Sequence, residues 1–91
     1  MPTIKIDPIK LGKTQMVRAT MRASGKTFKA YCTKGQYAYN ETASELGLLT
    51  QLWGLAAEEL GSKFTDQFCD SAELARLIGG ADRSAMMTAT R

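Results

Sequence analysis

Basic side chains interleaved with hydroxyls are the residues here best suited to chemistry, and that chemistry is phosphate recognition. Arg18, Arg22, Lys26, Lys29, Tyr31 and Lys34 fall within seventeen positions, with Thr20, Thr27 and Thr33 among them. Guanidinium and ammonium groups neutralise phosphates, hydroxyls bond to phosphate and sugar oxygens, and an aromatic ring stacks on a base. The charge distribution agrees. Residues 1–34 carry eight Lys/Arg against one acid, Asp7, and residues 35–91 carry four against eight. The net charge of +3 is therefore the sum of +7 (8 − 1) and −4 (4 − 8). Such an asymmetry points to a polyanionic partner.

Catalytic chemistry finds less support. The chain has no histidine, the commonest general base and metal ligand. Its helical carboxylates sit at capping positions or in adjacent pairs such as Glu58-Glu59. Gly12-Lys13-Thr14 and Gly25-Lys26-Thr27 resemble the end of a phosphate-binding loop. The full motif needs a further glycine five positions upstream, where Asp7 and Thr20 stand, and a helix to follow. Strands are expected to follow instead, so both read as turns. Asn40-Glu41-Thr42 spells a glycosylation sequon but reads as helix-start chemistry. Cys32 and Cys69 lack metal-ligand spacing and read as buried thiols, with a single disulfide as the rival. The expectation is a protein that is not an enzyme, with no metal, cofactor, small-molecule substrate or membrane partner. No stretch approaches the ~20 apolar residues of a membrane span, and Met1–Lys5 lacks signal-peptide character. An intracellular, cytoplasmic protein is expected.

The basic residues need a scaffold to bring them together, and the first forty positions predict a sheet. Ser24-Gly25 suits a two-residue hairpin loop. It pairs Met21 with Phe28, Ala19 with Ala30 and Val17 with Cys32, all apolar. The alternate pairs, Arg22 with Thr27, Thr20 with Lys29 and Arg18 with Tyr31, are polar or amphipathic. A one-residue slip would mix the faces, which supports the register. A second turn at Lys34-Gly35 would pair Cys32 with Tyr37 and Ala30 with Tyr39. Thr14–Asn40 thus reads as a three-stranded meander, and Ile4 and Ile6 suggest a fourth strand ending at Pro8. Residues 9–13 read as a connector. Such a sheet turns Arg18, Thr20, Arg22, Thr27, Lys29, Tyr31 and Thr33 to one face, with Lys26 and Lys34 flanking it and no acid to balance the bases.

Helices follow. Thr42-Ala43-Ser44-Glu45 fits a capping box. Leu46, Leu49, Trp53, Ala56 and Leu60 form a helical apolar stripe beside Leu48, Leu52 and Leu55, with Gly61 as the stop. Asp70–Glu73 fits a second capping box for a shorter helix carrying Leu74, Leu77 and Ile78, and Gly79-Gly80 ends it. Phe64 and Phe68 would anchor the connection. Gly47, Thr50 and Gly54 form a smooth ridge, fitted either to close approach to the sheet or to an interface with a second copy or partner.

The expected fold is therefore α+β: a three- to four-stranded antiparallel meander packed on a long amphipathic helix and a shorter C-terminal one. Its parts are a basic sheet half (1–40), a helical half (41–80) and a tail (81–91), frayed or disordered. A sheet backed by a helix resembles the plant-type and recombinase-arm domains that lay a sheet into the DNA major groove. The Glu73–Gly79 run, Glu-Leu-Ala-x-x-x-Gly, resembles the first helix and turn of helix-turn-helix proteins. It departs from their pattern at Gly80, Ala85 and Thr88. Two functional expectations result. The first is a nucleic-acid or nucleoprotein binder using Arg18, Arg22, Lys26, Lys29, Tyr31 and Lys34. The second is a protein-binding module, such as a homodimeric adaptor or a phage or mobile-element inhibitor of the anti-CRISPR kind.

Overall fold

Three antiparallel strands in the order β1-β2-β3 carry the N-terminal third of the chain: β1 (Thr3–Leu11), β2 (Thr14–Ala23) and β3 (Lys26–Thr33). The computed structural model describes residues 3–61 and 71–89. Among the described residues four helices follow the sheet: α1 (Lys34–Tyr39), α2 (Glu41–Leu60), α3 (Ser71–Gly79) and α4 (Ser84–Ala89). The architecture is the expected α+β sheet-on-helix arrangement.

The β2–β3 register is the one read from the sequence, with Met21 opposite Phe28, Ala19 opposite Ala30 and Arg18 opposite Tyr31. Its loop puts Ser24 and Gly25 both at positive φ (52° and 77°), as a type I′ turn requires. The first strand differs from expectation. β1 runs through Pro8 to Leu11, and Gly12-Lys13 is itself a two-residue hairpin loop, with Leu11 opposite Thr14. Proline is tolerated here because β1 is an edge strand. Pro8 lies opposite Val17, three pairs from the turn and at a non-hydrogen-bonded position, so its missing N–H faces away from β2. The connector at 9–13 is therefore strand plus turn.

The expected strand at Tyr37–Tyr39 is helix α1. Thr33 caps it, its hydroxyl accepting a bond from the Gln36 N–H at 3.1 Å. A strand would have turned both tyrosines to one side; the helix buries Tyr37 and leaves Tyr39 93% exposed. Asn40, not Thr42, caps α2, accepting from the Ala43 N–H at 3.0 Å. At its far end, Gly61 (φ 78°) stops α2 as expected, its N–H bonding to the Ala57 carbonyl.

α2 lies over β3 and β2. Its buried residues Leu48, Leu49, Leu52 and Ala56 meet Val17, Ala19, Met21, Phe28 and Ala30 on the inner sheet face, joined by Ile4 and Ile6 from β1 and Tyr37 from α1. Full burial of side chains such as Met21, Ile6 and Leu52 contributes ~1.5–3 kcal/mol each. Leu46 and Leu55, expected in the buried stripes, are exposed. Phe64, Phe68, Cys69 and the Asp70 end of the second capping box lie outside the described residues. Cys32 is a half-buried free thiol whose pKa burial raises.

The C-terminal segment is tied to the sheet. Asp82 forms a parallel bridge on the open edge of β1, accepting from the Ile6 N–H (2.8 Å) and donating to the Ile4 carbonyl (2.9 Å). Next to it, the Arg83 guanidinium grips Glu45 of α2 with two bonds of 2.7 and 2.8 Å, and donates to the carbonyls of Ile78 and Ala81. Tyr37 donates its hydroxyl proton to the same Glu45 at 2.7 Å. Glu45, expected to close a capping box, instead joins α1, α2 and the C-terminal segment. Residues 81–89, expected as a frayed or disordered tail, form this bridge and α4. The bridge also holds the α3–α4 turn on β1.

Candidate nucleic-acid interface

Strand alternation builds the outer face of the sheet from the residues that alternate with those of the core. Reading across β1, β2 and β3, it carries Thr3–Arg22–Thr27, then Lys5–Thr20–Lys29, then Asp7–Arg18–Tyr31, then Ile9–Met16–Thr33. The face thus has a basic, hydroxyl-rich end and an apolar end, the latter continued by Leu11 at 51% exposure.

The sequence-derived site residues divide into two groups. Arg18, Arg22, Lys29 and Tyr31 lie on this face together. Lys26 does not: opposite Ala23 at the hairpin it sits on the inner side, where its ammonium pairs with Glu59 of α2 at 2.7 Å. Lys34 does not either, because it opens helix α1.

The face also holds an acid, contrary to expectation. Asp7 on β1 lies directly opposite Arg18 and takes two bonds from its guanidinium, Nε to Oδ1 at 3.2 Å and Nη2 to Oδ2 at 2.6 Å. This contact raises the Arg18 pKa further. Arg18 is consequently fixed in place, its charge largely offset, next to Tyr31. Reading Gly12-Lys13 as a hairpin loop was the signal that would have found Asp7, since it sets Asp7 against Arg18 and Lys5 against Thr20.

The cations left for a ligand are Arg22 and Lys29, together with Lys5, whose charge also acts on the Asp82 carboxylate held on β1 beside it. Arg22 and Lys29 have no acid within ion-pair distance among the described residues. They stand diagonally on neighbouring strands, with Cβ atoms ~7–8 Å apart. Lys5 and Lys29 flank Thr20 across a span of roughly 10 Å, two strand spacings. Three cations and four threonines (Thr3, Thr20, Thr27, Thr33) share this face with Tyr31, whose neighbours are Arg18 across the strands and Lys29 and Thr33 along β3. Charge on both edge strands thus brackets the Thr20 hydroxyl on the central one.

The α2 ridge behaves differently from a sheet contact. A Cβ built at Gly47 or Gly54 would meet nothing within 4 Å, so neither glycine serves close approach to the sheet. Both are exposed, and Thr50 turns its hydroxyl inward to the Leu46 carbonyl at 2.9 Å. No group of three or more His, Cys, Asp or Glu among the described residues is placed to hold a metal ion. Among those residues no helix is long and apolar enough to cross a membrane. No protein family, curated protein or solved structure matches the chain.

Proposed function

We propose that the chain binds nucleic acid through the basic end of the outer sheet face. The observation that carries the proposal is the pair Arg22 and Lys29: two cations on adjacent strands of an exposed sheet, without acid partners among the described residues and set among threonines. Lys5 is the third phosphate contact. Arg18, held by Asp7, positions Tyr31 for stacking instead of contributing a free charge.

Neutralising three phosphates releases their counterions, so log K should fall with log salt with a slope of roughly −2.7 on duplex DNA and about −2.1 on a single strand. Fluorescence anisotropy of labelled DNA and RNA oligonucleotides across a salt series tests this, with Arg22→Glu/Lys29→Glu as the control. Binding that is absent at low salt, or that the double variant retains, overturns the proposal.

A protein partner is the second reading, and Leu11 favours it. An exposed leucine beside Ile9 and Met16, continuous with the basic end, suits an acidic protein surface with an apolar margin better than it suits a phosphate backbone. Leu11→Asp separates the two: it leaves nucleic-acid affinity nearly unchanged but abolishes capture of such a partner.

A further inference from the structure

We propose that two copies of the chain form a symmetric dimer, with β3 pairing antiparallel to the partner's β3 and the two α2 helices packing side by side above that junction. The dimer stands independently of what the outer face binds.

The two edges of the sheet are treated differently. On β1, the outward-facing Ile4 carbonyl and Ile6 N–H are taken by Asp82. On β3, the hairpin closes on the hydrogen-bonded pair Ala23–Lys26, so alternation directs the N–H and C=O groups of Thr27, Lys29 and Tyr31 away from β2. No backbone bond among the described residues reaches them. An open edge of this length is a template for another strand.

The flank of α2 beside that edge is also open. One groove is lined by Tyr31 and Cys32 from β3 with Gly47 and Gln51 from α2, and a second by Lys26–Phe28 with Leu55 and Glu58. Leu55 is 41% exposed and Gly47 has no side chain to fill its groove. One occupant must therefore offer both a strand and a helix in the same spatial relation.

A second copy does so, and its register is self-complementary. A two-fold axis through Ala30 keeps inner face with inner face, because residues of like parity stand opposite one another. It sets Lys29 against the partner's Tyr31, a cation beside a ring, and Thr27 against the partner's Thr33. Lys29 and the partner's Tyr31 both direct their backbone groups outward, so the central pairs can exchange both bonds. An axis through Lys29 or Tyr31 would stack like on like and shorten the overlap.

The helices obey the same axis. α2 runs antiparallel to β3, with Gly47 near Tyr31 and Leu55 near Phe28. The axis then passes by Gln51, seats Leu55 in the partner's Gly47 groove and brings Glu58 beside the N-terminal end of the partner's α2, where a carboxylate is favoured. The missing side chain at Gly47 allows the helix axes to approach within the usual ~8–10 Å. An eight-residue strand and a twenty-residue helix give a strip about 26–30 Å long, burying on the order of 600–800 Å² per copy, close to the standard interface.

Sedimentation velocity of the full chain, free of nucleic acid, over a thousandfold concentration range tests the dimer. The expected result is a species of twice 9.9 kDa. Gly47→Arg fills the groove from a position that touches nothing within the monomer. It should sediment as a monomer that still unfolds in one cooperative thermal transition, with a midpoint that no longer depends on protein concentration, and Leu55→Lys should do the same. Hydrogen exchange gives the local readout: Lys29 and Tyr31 amides are protected in the dimer and lose tenfold or more of that protection in Gly47→Arg. Phe28 and Ala30 amides stay protected in both. A monomeric wild type overturns the proposal. So does a dimer that survives both substitutions, or one in which Lys29 and Tyr31 exchange freely. Arg22→Glu, on β2 and away from the axis, changes nucleic-acid binding without changing the mass, so the two proposals fail separately.

Discussion

Replacing Arg83 with methionine should cost about 2–3 kcal/mol of folding stability. Its guanidinium makes two bonds to the Glu45 carboxylate at 2.7 and 2.8 Å, one to the Ile78 carbonyl at 2.7 Å and a longer one to the Ala81 carbonyl. The Glu45 side chain is only 12% exposed, whereas Arg83 is 33% exposed. A charge-assisted bond is worth ~1.5–3 kcal/mol net, and removing one partner of a fully buried pair costs ~3–5 kcal/mol. Partial access of water at Arg83 lowers the figure, and the remaining bond from Tyr37 to Glu45 keeps one carboxylate oxygen satisfied. Methionine retains the apolar stem, so lost packing contributes little. Urea unfolding monitored by the fluorescence of Trp53, the single tryptophan, reads the change; with a slope of ~1 kcal/mol/M the midpoint should fall by about 2–3 M. A loss below ~0.5 kcal/mol would place the pair with ordinary exposed salt bridges and refute its role as the junction of α1, α2 and the C-terminal segment.

Acid should weaken the same junction. The bonds from Arg83, opposed by burial and aided by Tyr37, hold the Glu45 pKa below its ordinary 4.5. A depressed folded value means that this stability is complete above pH 4.5 and lost as pH falls through the folded pKa, so Glu45→Gln should flatten the acid limb of a stability–pH curve. Gly25→Ala should destabilise by about 1 kcal/mol, because φ is +77° there although space is open; thermal unfolding measures it. Met21→Ala, at a fully buried site under α2, should cost about 2–5 kcal/mol by denaturant titration. Alkylation at Cys32, followed by peptide mass spectrometry, should be slower than for a fully exposed cysteine, since burial raises its pKa.

The sheet was legible where two independent constraints coincided. At β2–β3 a turn dipeptide and six cross-strand pairs agreed, and the register came out residue for residue. At Tyr37–Tyr39 only alternation was available, and a six-residue stretch satisfies a strand and a helix alike. There the Thr33 cap and the Tyr37–Glu45 bond decide, and both depend on groups brought together by tertiary structure. Pro8 misled for a related reason. It ends a strand only where its N–H is needed, and that depends on distance from a turn not read as a turn. Ending β1 early also hid Asp7 opposite Arg18, which removed one arginine from the free charge of the face. Arg83 lay beyond reach of local pattern, being thirty-eight positions from Glu45. The glycines of α2 were legible as a smooth surface but not as to which way they faced.

The bridge at Asp82 sets an order of events during folding. Its partners, Ile4 and Ile6, lie on the first strand of the sheet, and Asp82 follows Ile4 by seventy-eight positions (82 − 4). The two hairpins join near neighbours and can close in microseconds, while the β1 edge waits for a contact spanning most of the chain. On a ribosome adding ~5–20 residues per second, a formed sheet would spend several seconds with both edges bare before the last partner emerges. Folding of the nascent chain is thus the period when unwanted strand addition at β1 is easiest. Asp82 and Arg83, arriving together, end that exposure.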